Sequence, residues 1–497
     1  MTEQPTIVPR WEWRTFGDLG PARDRVGSLV TDEAQASEEL YLLSAYGDAS
    51  VKVRGGLMDV KTLDTVRDDG LELWIPRMKT VFPLTAGQAG SVLAALGVEP
   101  PPGAGEWTQD RLVIDVIRAD PRLRAPTVRK WRRRGIVDGC MVELTEITVD
   151  GASATTVVVE ASDPGLVTST VHRLGLDDRR NTCFARGLKS LLRWGRFAVV
   201  DVGTNSVKFH LGECLGDGGT HTLMDRSEVT RLGEGLAETG GLTGPALART
   251  ADAIAGMVDE ARRHAAVEIA AVGTAGMRQA PNRADLVDTV RARCGVTIEV
   301  IPGEEEARLA YVAATASLPV AGGRLVVFDS GGGSSQFTFG EVGRIDEQFS
   351  VDVGAVRFAE RYGLTGAVPR ETVDEAGAAI TADLDRLAGR ETPDAVVAIG
   401  GTATNLAAVR HGLAAYDPDV VHGTALDLAE IDRQIELYRT RDAEERRAIV
   451  GLQPARAEVI LAGACIARAI LTLLGRESLT VSDRGLRHGV FAERFDG

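Results

Sequence analysis

Cysteine is scarce in this chain: Cys140, Cys183, Cys214, Cys294 and Cys465 are the only five in 497 residues, odd in number and never spaced as a CxxC pair. That excludes a disulfide framework or a thiolate zinc site as the organising element, and suits a reducing compartment. The seven histidines include no HxH or HExxH, so a histidine metal site would have to be assembled from remote positions. No stretch approaches the roughly 18 apolar residues that a membrane span requires. The opening MTEQPTIVPRWEWRTF lacks the apolar core of a signal peptide. A cytoplasmic protein with no membrane partner is expected. Positive charge is also short, 56 Lys+Arg against 71 Asp+Glu, a net −15. Up to Arg196 the balance is nearly even, 26 against 27, so 30 basic and 44 acidic residues remain for the rest and carry −14. Such an acidic surface repels nucleic acid, and any polyanion that binds must be met in local basic pockets or on bound metal ions.

What is present divides near residue 195. Up to about residue 165 short strand-like runs dominate, among them SVKVRGGLMDVKTL, LELWIP, RLVIDVIRA, TVRKWRRRG, MVELTEITVDG and TTVVVEA, with helical patterns at 83–98 and 163–192. From residue 197 apolar strands alternate with Ala-rich helices, expected at 244–265, 282–294, 304–317, 371–389, 402–415, 427–440 and 455–475, an α/β layering. The expected domains are 1–190, 197–325 and 326–497.

Two glycine loops stand out in the second part. Asp201-Val-Gly-Thr-Asn-Ser206 lies between two apolar strands, in a turn that aims backbone N–H groups and the Thr204, Asn205 and Ser206 side chains at one spot, with Asp201 placed to hold a divalent cation. DSGGGSSQ, from Asp329 to Gln336, again runs strand, turn, strand, and Gly331 to Gly333 let the backbone approach an anion. The two copies read as an internal duplication. A third loop, IGGTAT at 399–404, joins a strand to a helix. The acids Glu304, Glu305 and Glu306 open a helix, a place the helix dipole favours whatever the function. Arg278, just past another strand, can reach a bound phosphate.

DVGTNS, RLGEGL, GTAGMR, IPGEEEARLAY, VVFDSGGGSS, AIGGT and SDRGLRHG, in this order, resemble the exopolyphosphatase/guanosine pentaphosphate phosphohydrolase (Ppx/GppA) family over 197–497. The resemblance implies the duplicated two-lobe fold shared with actin, sugar kinases and heat-shock ATPases, in the short form with the site between the lobes. Carried over by position, Glu306 matches the catalytic base, Asp201 and Asp329 the acids near a divalent metal, and Asn205, Arg278, Gly332, Gly333 and Ser334 the phosphate contacts. One position departs: where the family has a glutamate closing the glycine loop, this chain has Gln336, which keeps an oxygen ligand and loses a charge.

The first part carries like charges at i, i+2. Lys52 and Arg54 share one strand face, Lys130, Arg132 and Arg134 another, with Lys61 on the strand between. Facing solvent, such a set would only repel mildly; facing the inside of a barrel, it would make a polyphosphate tunnel. With the entry WEWRTF this region resembles a divergent CYTH (triphosphate tunnel) domain over about 8–175. The family's ExExK is replaced by Arg10-x-Glu12-x-Arg14, and its late ExE by Glu160-Ala-Ser162, so the basic half is expected to survive better than the acidic half.

The expected fold is therefore an α+β tunnel-type β-barrel followed by a duplicated α/β two-lobe module. The expected activity is exopolyphosphatase: release of terminal orthophosphate with Mg²⁺ or another divalent cation, the first domain gripping the chain. Guanosine pentaphosphate hydrolysis and a catalytically weak polyphosphate-binding or sensing protein are the alternatives, and a homodimer is a further expectation.

Overall fold

The computed structural model describes residues 8–99, 105–204, 206–216, 219–234, 236–316, 318, 323–341 and 343–496; Asn205 lies outside them. Nine strands come first: β1 (Arg10–Phe16), β2 (Gln35–Ser44), β3 (Gly47–Arg54), β4 (Leu57–Val66), β5 (Glu72–Val81), the short β6 (Leu123–Arg124), β7 (Thr127–Val137), β8 (Cys140–Val149) and β9 (Ala152–Ala161). They pair in the order β3-β4-β5-β1-β9-β8-β7-β2, and β2 pairs back to β3, so eight antiparallel strands close a barrel. Alternation places Val128, Lys130, Arg132 and Arg134 of β7 inside while Arg129 and Trp131 face solvent. The outer face of β3 and β4 buries Val51, Val53, Met58 and Val60 under the helix Ala86–Ala95.

One end of the barrel is closed. The helix Phe184–Leu191 sets Phe184 and Leu188 against the inner ends Leu43, Val128, Ile147 and Val149. Gly187 permits this approach, because a Cβ there would fall 2.2 Å from the Phe16 ring. The fully buried Lys189 locks the helix, its Nζ lying 2.5 Å from Asp48 Oδ1 and donating to the carbonyls of Ser44 and Gly47.

The second part holds two further sheets. The strands β10 (Gly195–Val202), β11 (Ser206–Cys214), β12 (Thr220–Val229), β13 (Glu268–Gly273) and β14 (Ile298–Val300) form the first, in the order β12-β11-β10-β13-β14. The second comprises β15 (Leu325–Ser330), β16 (Ser335–Glu341), β17 (Arg344–Val351), β18 (Ala395–Ile399), β19 (Ala425–Asp427) and β20 (Ser478–Val481), ordered β17-β16-β15-β18-β20-β19. Each opens with an antiparallel β-meander of three strands whose first strand then pairs with a parallel one, so the duplication expected from the glycine loops is a duplication of topology. The tunnel-type barrel and the two-lobe module expected from the sequence are both present.

The helix Gly303–Ala316 links the lobes: its Leu309 packs on the first sheet, and its Tyr311 and Ala314 on the second. The last helix, Leu486–Phe495, returns from the second sheet to cover the first, burying Leu486, Val490, Phe491 and Phe495 there, so by packing the C-terminal residues belong with the first lobe.

Two local expectations are corrected. RLVIDVIRA is helical, not extended: Thr108 caps its start by accepting the Arg111 N–H, and Leu112, Val116 and Ile117 form one buried face. The pattern at 163–192 is two helices, Pro164–Leu174 and Phe184–Leu191, the first ended by Gly175 in the left-handed region at φ 65°. No helix among the described residues is long and apolar enough to cross a membrane.

The contact between the linking and last helices rests on Gly489, where a Cβ would fall 2.2 Å from the Leu309 carbonyl oxygen, a backbone atom that cannot step aside. Gly489→Ala is expected to cost about 1–3 kcal/mol through overpacking and to lower the thermal unfolding midpoint. An unchanged midpoint would contradict this packing.

Candidate active site

Strand pairing places the acids. Asp201, near the end of β10, pairs with Lys208 of β11, and Asp329, near the end of β15, pairs with Gln336 of β16. Directly opposed residues of an antiparallel pair share a face, so each lobe presents one carboxylate with one partner beside it. The turns match as well: Gly203 N–H donates to Ser206 O at 3.0 Å and Gly331 N–H to Ser334 O at 2.9 Å. Asp201 is buried, with Lys208 Nζ 3.4 Å from its Oδ2. Asp329 is pressed against Gly400, a residue at φ 85° whose Cβ would fall 2.2 Å from Asp329 Oδ1. Burial pushes the Asp329 carboxyl above its ordinary value; Lys208 and Arg456 pull it back, and the negative charge of Asp201 pushes it further. Asp201 of one lobe thus lies near enough to Asp329 of the other for its charge to be felt there.

Glu306 joins them from the first turn of the helix Gly303–Ala316. Arg278 Nη1 donates to Glu306 Oε2 at 2.7 Å and to the Ile301 carbonyl at 3.0 Å. Burial holds the Glu306 carboxyl above the usual range, the Arg278 ion pair opposes this, and the charge of Asp201 adds to it. Glu305 points elsewhere, paired with Arg308, which also reaches Glu493. Of these two acids, it is Glu306 that pairs with Arg278 and feels the charge of Asp201.

The second glycine loop is braced by its carbonyls. Gly332 O accepts the N–H groups of Val356 and Arg357 at 2.9 and 3.2 Å, and Gly331 O that of Ala355 at 2.9 Å. A Cβ on Gly354 would fall 2.3 Å from Gly332 O. Among the described residues, the N–H groups of Gly332, Gly333 and Ser334 find no acceptor, as a nest for an anion requires. Gln336 Nε2 donates to Ser334 Oγ at 2.8 Å and is exposed. In the first loop Thr204 O accepts the Gly233 N–H at 2.8 Å.

Sequence reasoning missed two cations of this cleft. Lys208 was legible, since it stands seven residues after Asp201 as Gln336 stands seven after Asp329. Arg456, close enough to Asp329 to lower its pKa and to meet a Cβ on Gly401 at 2.3 Å, lies in a short 3₁₀ turn with no motif around it. A remote histidine cluster does assemble: Asp225 Oδ2 accepts from His210 Nδ1 at 3.0 Å and His488 Nε2 at 2.9 Å, and Arg487 lies 2.8 Å from Asp225 Oδ1. With the guanidinium on the carboxylate, it fastens the last helix to β12.

In the barrel, every expected cation faces inward. Lys130, Arg132, Lys52 and Arg54 converge on Glu39, at 3.1, 2.7, 3.5 and 3.7 Å. Arg134 Nε donates to Glu143 at 2.6 Å. Burial and the neighbouring Glu12 push the Glu160 carboxyl above its ordinary value against the charge of Lys61, whereas Glu12, against its burial, is held below its own by Arg14 and Lys61. Burial alone would raise the Glu143 carboxyl, but Arg14 and Arg134 carry it down to about 2. Burial and the neighbouring Lys52 push the Lys130 ammonium well below its ordinary value, against the opposing charge of Glu39. Two acids that the sequence reading did not name, Glu39 and Glu143, also line the interior. Each is a single acid on a strand, indistinguishable in sequence from a solvent-facing one.

The family model described as the Ppx/GppA phosphatase family matches residues 215–496, beginning after the barrel. Exopolyphosphatase 2 of Mycobacterium tuberculosis is 31% identical over 313 residues, 59% of this chain and 97% of its own length. Exopolyphosphatase 1 of Mycobacterium leprae is 27% identical over 310 residues, 61% of this chain and 90% of its own. Among solved structures, the Aquifex aeolicus Ppx/GppA phosphatase superposes with a TM-score of 0.55 at 30% identity, covering 60% of this chain and 99% of that one.

The Arg278 pair makes a checkable statement about Glu306. Arg278 favours the ionised carboxylate, so Arg278→Gln should move the Glu306 titration to still higher pH in a carbon-13 NMR experiment. An unchanged or lower midpoint would contradict the pairing.

Proposed function

This chain belongs to the Ppx/GppA phosphatase family and is a phosphoanhydride hydrolase, and from that premise we propose that it releases terminal orthophosphate from inorganic polyphosphate in a reaction supported by Mg²⁺ or a similar divalent cation. The observation that carries this reading is the matched placement of Asp201 and Asp329, one acid near the end of the first strand of each lobe, with Asp201 near enough for its charge to act on both Asp329 and Glu306. Carboxylate oxygens at such a place, with the Gln336 amide on the same face as Asp329, are the hard donor set that Mg²⁺ takes, and the glycine at 400 leaves the Asp329 carboxylate room. The cation, when bound, offsets charge on the phosphoryl oxygens.

The protein's own groups do the rest. Glu306, as carboxylate, takes a proton from the water that attacks the terminal phosphorus. The new P–O bond forms as the bond to the bridging oxygen breaks, and the shortened chain leaves with that oxygen. Arg278 fixes the Glu306 carboxylate and offers its remaining donors to the transferred group. The amides of Gly332, Gly333 and Ser334, with Asn205 from the first lobe, hold phosphate oxygens, and Lys208 and Arg456 add charge at the same space. In the barrel, Lys52, Arg54, Lys61, Lys130, Arg132 and Arg134 grip the chain away from the cleft, which raises the effective concentration of its reacting end. The five free cysteines, all buried, are in keeping with a cytoplasmic enzyme.

Glu306→Gln tests the assignment. Phosphate release should fall on the order of 10²- to 10⁴-fold, while polyphosphate affinity stays within a few-fold. Glu305→Gln, altered where the side chain faces Arg308, should be mild. Unchanged turnover in Glu306→Gln would show that another group is the base, and faster release from guanosine pentaphosphate than from polyphosphate would replace the substrate.

A further inference from the structure

Among the described residues, the barrel is open at one end only. Its floor is Phe184, stacked on Tyr41 at 4.8 Å between ring centroids, with the Lys130 ammonium 3.7 Å from the Phe184 centroid, and Leu188 and Trp194 seal the layer below. At the opposite end the side chains of Arg10, Arg54 and Arg134 are 50, 41 and 39% exposed. Between them the Glu39 side chain is fully buried under its four cations. From Arg134 to Lys130 is four residues of strand, so the lined space is about 13 Å deep at ~3.3 Å per residue.

The sealed end is also the end that meets the first lobe. Glu213 of β11 accepts from Arg122, next to β6, at 3.1 Å, and Ser190 donates to Glu268 at 3.0 Å. The β2–β3 turn lies there too, with the Arg196 guanidinium 5.8 Å from the Tyr46 ring centroid. Asp201 is six residues along β10 from Gly195, a further ~20 Å of extended chain. The mouth therefore lies at the end away from the lobes, and among the described residues the layer of Phe184, Leu188 and Trp194 stands between the barrel interior and the cleft.

Resting on the reading that the barrel binds polyphosphate, we propose that it is a terminus-binding site: it takes the end of a linear polyphosphate chain and cannot thread an internal stretch, so a chain held there reaches the cleft with its other end, around the outside. The chemistry agrees with the shape. A terminal phosphoryl group carries one ionisable oxygen more than an internal one, and the floor offers it the Lys130 ammonium, whose charge burial and Lys52 disfavour and a dianion would restore. A chain too short to reach around cannot occupy both sites, which makes the barrel an anchor for long chains.

The test compares polyphosphate of one defined length in two forms, with free ends and with both ends blocked as bulky aryl phosphoramidates, binding to full-length Glu306→Gln protein with and without Lys52→Ala plus Arg54→Ala. The free-ended chain should lose at least about tenfold in affinity when the two barrel cations are removed, and the blocked chain should bind equally to both proteins. If blocked and free chains weaken alike, the barrel grips chain interiors and the inference is overturned while polyphosphate binding by the barrel stands. If neither weakens, that reading falls as well. Should the double variant fail to fold, Arg54→Ala alone, altered at an exposed side chain of the mouth, reads the same contrast.

Discussion

The constraint on which the cleft depends is the burial of two like charges at one place. Asp201 and Asp329 stand on the same position of two copies of one hairpin, so the pairing that builds each sheet also places one carboxylate near the end of its first strand. Taking a carboxylate out of water is costly, and the rise in the Asp329 pKa expresses mainly that burial, to which the charge of Asp201 adds. The surroundings are arranged around it. Lys208 stands against Asp201, Arg456 approaches Asp329, and Gly400 leaves room where any Cβ would strike the carboxylate. Three acids, Asp201, Asp329 and Glu306, thus stand among three cations, Lys208, Arg456 and Arg278.

The barrel handles charge in the opposite sense. There the cations are in excess and one buried carboxylate, Glu39, holds several of them at bonding distance. Such a cluster keeps long, flexible side chains ordered before any anion arrives, which lowers the entropy lost on binding. The apolar floor formed by Phe184 and Leu188 gives the same space its direction. Sealing the barrel and joining it to the lobes fall to one helix, Phe184–Leu191, because Lys189 binds it to the barrel while Ser190 donates to Glu268 of the first lobe.

Much of this was legible in the sequence. The two glycine loops announced the duplication, Glu306 and Arg278 were placed by motif, and the i, i+2 spacing of Lys130, Arg132 and Arg134 fixed their common face once a barrel was assumed. What was not legible depends on long-range contact. Glu39 and Glu143 become interior only when the barrel closes. Arg456 enters the cleft from a turn whose local sequence carries no signal, and Asp225 meets His488 and Arg487 across more than two hundred residues of chain. The misread RLVIDVIRA shows the limit of composition: its β-branched residues favour a strand, but the cap at Thr108 and a buried Leu112, Val116 and Ile117 outweigh that preference.

Gln336 is where the reading of a metal-supported hydrolase is most exposed, since the family resemblance places a glutamate there and the structure places the amide on the same face as Asp329, hydrogen-bonded to Ser334. The most direct measurement is orthophosphate release from polyphosphate by wild type and Gln336→Glu across a range of Mg²⁺ concentrations, with a chelator as the zero point. The wild type is expected to be active with Mg²⁺ and silent with chelator, and Gln336→Glu to need less metal for half-maximal rate, because an anionic oxygen replaces a neutral one of similar shape. A wild type that is inert at every concentration, with activity appearing only in Gln336→Glu, would contradict the account and make the natural protein a polyphosphate binder.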